Sequence, residues 1–495
     1  MNRHDSTIEI AHRGVSLRRR TKIVATLGPA TDDPGVLENL IRAGVDVVRI
    51  NFSHGVAAER EQRVSAIRTI ANQVGRDVAI MGDLQGPKIR IESFTTGSAL
   101  LVVGQRFILD TAMDPNAGDQ ATVGVAYPRL VEDVARGDTL LLDDGRILLE
   151  VEEVSGSQVR CRVERGGQLS DNKGLNKQGG GLSAPALTDK DRSDIKAAAT
   201  LGLDFVAVSF ARQAEDIDEA RSLLRAAGGD AYLVAKIERA EAVENIRSII
   251  DASDAIMVAR GDLAVEVGYA SMTGLQKGLI RLAHQRNKIS ITATQMLESM
   301  IYSGSPTRAE VSDVANAVMD GTDAVMLSAE TAVGKYPVLA VSTMAELCVG
   351  AEKHETTHGI VNYRSEDIFH HVDEAIAMAV MYTAAHLKVK AIIALTESGS
   401  TTLWMSRVRS DIPIYAFTRH EVTRRRVSLY RGVYPVAFDV VKLDSALVRD
   451  DVWRTLYSDG SVDAGDLVLF TSGELEGVTG GTNTMQILTV PAPNT

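Results

Sequence analysis

The sequence predicts an α/β protein built on a closed (β/α)8 barrel. An all-β domain is inserted after the third strand, and a separate α/β domain follows at the C-terminus. Three observations predict this. Short apolar, β-branched runs alternate with helix-period segments eight times between residues 18 and 355. The alternation stops between 88 and 185, where hairpin patterns replace it. Nearly every run of the alternating series ends in a polar or ionisable residue, which is where such barrels carry their chemistry. An open doubly wound sheet is the alternative that the pattern alone leaves standing.

The bulk properties suit an architecture of that size. A chain of 495 residues has room for about two to four domains. It is 45% hydrophobic and 24% charged, the balance of a globular protein. A net charge of −12 without a long basic tract argues against nucleic acid as a partner. The two cysteines, Cys161 and Cys348, have no metal-ligand spacing and fit a reducing, cytoplasmic setting. Residues 1–17 read as a loosely ordered leader with no signal-peptide core, and no apolar run reaches the length of a membrane span.

In chain order, 21–27 reads as the first strand, 36–42 as a helix, 45–52 as the second strand, 57–74 as a helix and 77–83 as the third strand. In the insert, 100–103 and 106–109 read as short strands. Asp144-Gly145, between the apolar halves of 139–151, is a hairpin signal, and a strand at 158–163 follows with no helix-period segment between. Thr188 has the place of an N-cap for a helix through Ala199. Strands four to eight then read at 203–210, 231–238, 254–262, 288–294 and 323–328, with helices at 241–251 and up to about Glu352. From about Thr356 comes a helix at 372–386, a strand at 390–396, a Ser/Thr-rich loop opening a helix, and strands at 412–417, 434–438, 466–470 and 485–490. The domains are accordingly 18–87 with 186–355 for the barrel, 88–185 for the insert and 356–495 for the C-terminal unit.

Strands five and six concentrate the charge. The first ends on Lys236 and Glu238, the second on Arg260 and Asp262. Parallel strands would bring both ends to one face. Two carboxylates beside solvent suit a hard cation such as Mg²⁺, and an ammonium with a guanidinium suits a phosphate. Earlier strand ends add Arg49, Asn51, Ser53, Asp83 and Ser209, and later ones add Thr294, Ser328 and Glu330.

These residues sit in longer strings: Arg49-Ile-Asn-Phe-Ser-His-Gly55, Gly82-Asp-Leu-Gln-Gly-Pro-Lys-Ile-Arg90, Lys236-Ile-Glu238, Ala259-Arg-Gly-Asp-Leu263, Ala293-Thr-Gln-Met-Leu-Glu-Ser299 and Leu327-Ser-Ala-Glu-Thr331. In that order they closely resemble pyruvate kinase, from about Arg19 to Val490. The resemblance implies transfer of the phosphoryl group of phosphoenolpyruvate to ADP, giving pyruvate and ATP. It makes Glu238 and Asp262 the ligands of Mg²⁺, with Mn²⁺ as an alternative. Lys236 would neutralise the phosphoryl group in flight and the enolate oxygen, and Arg49 and Arg90 would hold phosphate oxygens. Thr294 and the backbone N–H groups near Gly261 would hold the substrate carboxylate, with Ser209 nearby. A hydroxyl cannot by itself protonate an enolate carbon near neutral pH, so a water chain past Thr294, Ser328 and Glu330 is the expected proton route. Arg90, Lys173, His54 and Asn51 are the expected nucleotide contacts. The insert would close over the site as a lid, and a homotetramer is expected by resemblance. A carbon–carbon lyase of the phosphoenolpyruvate/pyruvate barrel group is the competing enzyme class, and it would need neither lid nor nucleotide site.

Two finer expectations follow from the same resemblance. Potassium-requiring members carry Glu, Thr and Lys where this chain has Lys88, Leu84 and Gln85. Here the Lys88 ammonium is expected to take the cation position beside Asn51, Ser53 and Asp83, so K⁺ should not be required. In the C-terminal unit, Thr396, Ser398, Gly399, Ser400 and Thr401 match the loop that holds an activator's phosphate. A later loop carries Glu474 and Glu476 and no Lys or Arg, which disfavours a second phosphate unless Arg424 to Arg426 compensate. A sugar monophosphate or AMP is therefore the expected activator, rather than fructose 1,6-bisphosphate.

Overall fold

The computed structural model describes residues 19–357, 369–439, 445–473 and 481–492. Three strands open the barrel: β1 (Lys22–Thr26), β2 (Val47–Asn51) and β3 (Ala79–Asp83). The insert contributes β4 (Ser98–Leu101), β5 (Arg106–Asp110), β6 (Thr122–Gly124), β7 (Thr139–Leu142), β8 (Ile147–Ser155), β9 (Gln158–Arg165), β10 (Gly167–Ser170) and β11 (Leu175–Lys177). The barrel is completed by β12 (Phe205–Val208), β13 (Tyr232–Ile237), β14 (Ala255–Ala259), β15 (Ile289–Ala293) and β16 (Ala324–Leu327). These eight strands form a closed ring, with β16 hydrogen-bonded back to β1, so the sheet is not open. Every residue of β1, β3, β14 and β15 is buried, as expected of strands with a filled interior on one face and helices on the other.

Local chemistry explains the element ends, including those that depart from expectation. Thr188 and Asp191 form the reciprocal cap of the helix Asp189–Thr200: Thr188 Oγ1 accepts from Asp191 N, and Asp191 Oδ2 accepts from Thr188 N at 2.9 Å. The sixth barrel strand stops at Ala259, earlier than expected. Arg260, Gly261 and Asp262 instead form the first turn of the helix Arg260–Val267, where the Asp262 carboxylate faces the positive end of the helix dipole. The helix expected at 241–251 is split into Ala240–Glu244 and Ile246–Ala252 by Asn245, a residue whose side chain competes for backbone hydrogen bonds.

The insert forms a six-stranded sheet, ordered β11-β7-β8-β9-β5-β6, beside the pair β10-β4. It also contains one helical turn, Leu130–Asp133, which the alternating pattern did not signal. The β7–β8 turn holds Asp143, Asp144 and Gly145 at φ 49°, 53° and 80°, conformations that Asp tolerates and Gly takes freely. The chain returns to the barrel through Gly179, Gly180 and Gly181, at φ 79°, 80° and 94°.

The C-terminal unit is a sheet of β17 (Ala391–Leu395), β18 (Ile414–Thr418), β19 (Val433–Ala437), β20 (Leu467–Gly473) and β21 (Thr482–Thr489), ordered β19-β18-β17-β20-β21. It seals the N-terminal end of the barrel. Val427, Leu429, Tyr430 and Val433 belong to the same apolar cluster as the barrel-interior residues Val24, Met81, Phe205, Val234, Met257 and Met326. The helix Glu421–Val427 bolts the two units together with three consecutive arginines. Arg424 pairs with Asp77 at 3.1 Å, Arg425 with Asp204 at 2.7 Å and Arg426 with Asp230 at 3.0 Å. Each of those acids lies at the entry to a barrel strand, β3, β12 or β13. The charges of these arginines are thus paired with the barrel floor. Among the described residues no helix is long and apolar enough to cross a membrane.

Candidate active site

At the other end of the barrel, β2, β3, β12 and β13 deliver their last side chains to one polar cluster. Arg49 Nε meets Asp83 Oδ2 at 2.6 Å, and its Nη1 donates to Thr26 Oγ1 at 3.0 Å. Lys236 Nζ donates to Ser209 Oγ at 2.7 Å and lies 2.9 Å from Glu238 Oε1 and 3.3 Å from Asp83 Oδ1. Ser209 Oγ in turn donates a hydrogen bond to the Leu84 carbonyl at 2.7 Å, and Phe210 N donates to Glu238 Oε2 at 2.8 Å. Asp83 and Glu238 are only 1% and 2% exposed, so the charges act on one another with little solvent screening.

That environment sets the protonation states. Burial alone would lower the Lys236 pKa, but Asp83 and Glu238 outweigh it and raise it above its ordinary value. Asp83 is lowered: Lys236 and Arg49 overcome the upward push of burial. Glu238 is raised by burial, with Lys236 opposing and the nearby Asp262 charge adding to the rise. An ammonium held charged, between two carboxylates and open to one side, is suited to a phosphoryl group and to an oxygen that gains negative charge.

The strand-six and strand-seven ends are braced separately. Arg260 donates from Nε to Ala293 O at 3.1 Å and from Nη2 to Thr294 O at 2.7 Å, while its Nη1 meets Asp313 at 2.6 Å. The Arg260 guanidinium, expected from the sequence to suit a phosphate beside Lys236, is instead engaged by Asp313 and by the backbone of the Thr294 loop. Thr294 and Gln295 have left-handed backbones, φ 69° and 54°, as does Phe210 at 55°. For non-glycine residues each costs about 1–3 kcal/mol and is typical of functional loops. Gly261 N donates to Thr294 Oγ1 at 2.8 Å, which places the two expected carboxylate-binding groups side by side.

Other expected residues are placed less simply. Both oxygens of Glu330, which is 2% exposed, accept from backbone N–H groups, Leu297 at 3.1 Å and Ser328 at 2.7 Å, so the side chain braces two loops. Asn51 Oδ1 accepts from Ser53 N at 3.0 Å, a turn cap, and His54 is exposed on the same loop. Lys88 is not at the expected cation position. Its ammonium pairs with Asp262 Oδ1 at 3.0 Å, and the two oxygens of Asp83 are already taken by Arg49, Lys236 and Ser209. Arg90 donates to Asn172 O at 2.9 Å and Lys173 pairs with Asp143 at 2.8 Å, both at the base of the insert.

The effector-loop residues lie in the C-terminal unit. Gly399 N donates to Thr396 Oγ1 at 2.9 Å, Ser398 Oγ to Ser400 Oγ at 3.2 Å, and Ser400 Oγ to Asp373 Oδ2 at 3.3 Å. Thr401 bonds Thr482 at 2.8 Å. Glu474 and Glu476 lie outside the described residues.

A closed barrel whose C-terminal ends gather a charged lysine, two carboxylates and an arginine is suited to a phosphotransferase, and its relatives place the chain in that class. Residues 18–341 match the model of the pyruvate kinase barrel domain, and residues 374–488 match that of the pyruvate kinase alpha/beta domain. The chain is 54% identical over 476 residues to the pyruvate kinase II of Salmonella typhimurium, covering 95% of this chain and 99% of that one. It is 50% identical over 459 residues to a pyruvate kinase of Haemophilus influenzae, covering 92% and 96%. It is 41% identical over 472 residues to one from Methylorubrum extorquens, covering 95% and 97%. The chain belongs to the pyruvate kinase family.

Proposed function

We propose that the chain transfers the phosphoryl group of phosphoenolpyruvate to ADP with Mg²⁺ bound by Glu238 and Asp262. The observation that carries this is the Lys236 ammonium, 2.9 Å from Glu238 and 2.7 Å from Ser209. A pair of carboxylates with room for substrate oxygens and water is the donor set Mg²⁺ takes, and each of these carboxylates is met by an ammonium in this structure. When bound, Mg²⁺ would neutralise phosphoryl and carboxylate oxygens of the substrate.

The residues perform the remaining work. Arg49 and Arg90 orient phosphate oxygens. A β-phosphate oxygen of ADP attacks phosphorus, the bond from phosphorus to the enol oxygen breaks, and Lys236 holds the charge left on that oxygen. Thr294 and the Gly261 N–H orient the substrate carboxylate, and a proton arrives at the enolate carbon through water beside Thr294 and Ser328. Lys173, His54 and Asn51 are the groups this reading assigns to the nucleotide. Positioning and charge neutralisation are what phosphoryl transfer requires. A coupled assay for pyruvate, with and without Mg²⁺, tests the reading. No ADP-dependent pyruvate formation would overturn it.

K⁺ is not required in this reading, because the Arg49 and Lys236 cations already pair with both oxygens of Asp83, and the Leu84 side chain carries no hydroxyl. Assays in a bulky organic cation should run at nearly full rate, and stimulation by K⁺ of about tenfold, or 1.4 kcal/mol, would refute this. The activator is a sugar monophosphate or AMP, held at Thr396, Ser398, Ser400 and Thr401. The commitment of Arg424, Arg425 and Arg426 to barrel acids supports a single phosphate. Rate against phosphoenolpyruvate with each candidate added decides it, and activation by fructose 1,6-bisphosphate alone would contradict it.

A further inference from the structure

We propose that Lys88 is a lid-positioning residue: its ammonium latches the base of the insert to Asp262, and metal uptake by Asp262 displaces it. The proposal rests on the reading of Asp262 as a metal ligand. Lys88 lies on the first crossing from β3 into the insert, just after Gly86 at φ 65° and Pro87. Its stem lies along the insert: a Cβ built on Gly174 would be 3.3 Å from Lys88 Cε. The two crossings form one ribbon, because Leu175 N donates to Ile89 O and Ile91 N to Lys173 O, each at 2.9 Å. Lys88 therefore has its backbone and stem in the base of the insert and its charge on a carboxylate of the barrel.

The second crossing is tied down differently. Gly179 N donates to Glu266 O at 3.0 Å, Gly181 N to Glu241 Oε1 at 2.6 Å, and Asn176 to Glu266 Oε1 at 3.3 Å. None of these bonds involves a metal ligand, so metal binding leaves them alone. The Lys88–Asp262 pair is different. A divalent ion coordinated by Asp262 repels an ammonium held 3.0 Å from the same carboxylate. Both side chains are partly open to solvent, at 26% and 22%, so the pair is weak enough to exchange. One crossing of the insert is thus released by the metal while the other stays hinged at its three glycines.

The test uses Mn²⁺ alone, titrated into substrate-free enzyme and followed by the electron spin resonance of free Mn²⁺. Lys88→Met should bind Mn²⁺ about tenfold more tightly, equivalent to 1.4 kcal/mol, and Lys88→Arg should stay close to wild type. Lys173→Met removes a neighbouring ammonium that pairs with Asp143 instead, and should change affinity much less. Lid position is read independently. Cys161 and Cys348 are buried, so spin labels at Ser155→Cys in the insert and Asp218→Cys on the barrel attach selectively. Metal-free Lys88→Met should show the broader distance distribution that wild type shows only with Mn²⁺. Unchanged Mn²⁺ affinity in Lys88→Met, an equal change in Lys173→Met, or an unmoved distance distribution would each overturn the latch. Asp262→Asn separates the two readings: if it leaves Mn²⁺ binding intact, the ligand assignment fails. If it weakens binding while Lys88→Met has no effect, only the latch fails.

Discussion

Lys236 and Lys22 show opposite uses of a buried ammonium. Lys236 is held charged by Asp83 and Glu238, and Lys236→Met should cut turnover by about 10²–10³ while substrate-free metal binding persists. Steady-state rates of the folded variant check this, and near-normal turnover would contradict the assignment. The Lys22 ammonium meets a carbonyl and a ring instead: its Nζ donates to Val433 O at 2.5 Å and sits 4.7 Å from the centre of the Tyr434 ring. Burial lowers its pKa from 10.5 to about 8. Between those values the unfolded chain keeps a proton that the folded chain has released, so this group makes stability rise with pH across that window. Below it, the folded state carries a charge that burial penalises by on the order of a few kcal/mol. The stability of Lys22→Met relative to wild type should therefore fall between pH 7 and pH 10, read from urea midpoints. A constant difference would show that Lys22 stays charged throughout. At this scale the site was legible as identities: Arg49, Lys236, Glu238 and Thr294 could be picked out because each ends a strand. Their directions were not legible. Nothing in Lys88 itself says that its flexible stem runs along Gly174 to Asp262, and a β-branched Thr294 gives no signal of a left-handed backbone.

Elements were legible where periodicity and caps agree, as in the helix after Thr188 and the hairpin at Asp144-Gly145. They were misread where a short polar run changes state. Arg260-Gly-Asp262 looks like a charged strand end because the apolar run before it is continuous, yet the chain turns helical at once and points Asp262 inward. The helix Glu421–Val427 had no strong signal. Its three arginines read only as a possible source of phosphate-binding charge, because the acids that meet them, Asp77, Asp204 and Asp230, lie far away in sequence. Arg425→Ala should be costly, since Asp204 is 1% exposed and would keep Arg68 at 2.8 Å as its charged partner, beside the Ile80 N–H at 2.8 Å. Removing one partner of a buried pair costs about 3–5 kcal/mol, and the remaining arginine places the expected loss at the lower end. Denaturant midpoints of Arg425→Ala measure it. A change within a few tenths of a kcal/mol would mean that the clamp holds no strain-bearing load.

At the scale of the whole molecule, barrel and C-terminal unit are not separable modules, although the sequence divides cleanly near 356. Phe205, Met257 and Met326 share one apolar cluster with Leu429, Tyr430 and Val433. A chain ending at residue 357 should bind a hydrophobic dye and sediment as aggregates, whereas an independent domain would stay monomeric and dye-free. The shared cluster also bears on synthesis. All eight barrel strands have been translated by Leu327, but the C-terminal members of the shared cluster begin at Ala377 and run on to Leu469. At about 5–20 residues per second, that interval lasts on the order of several seconds or more. During it the nascent barrel presents an unsealed apolar mouth, open to chaperones and to other nascent chains. A ribosome stalled in that interval releases much the same aggregation-prone species that the truncation makes.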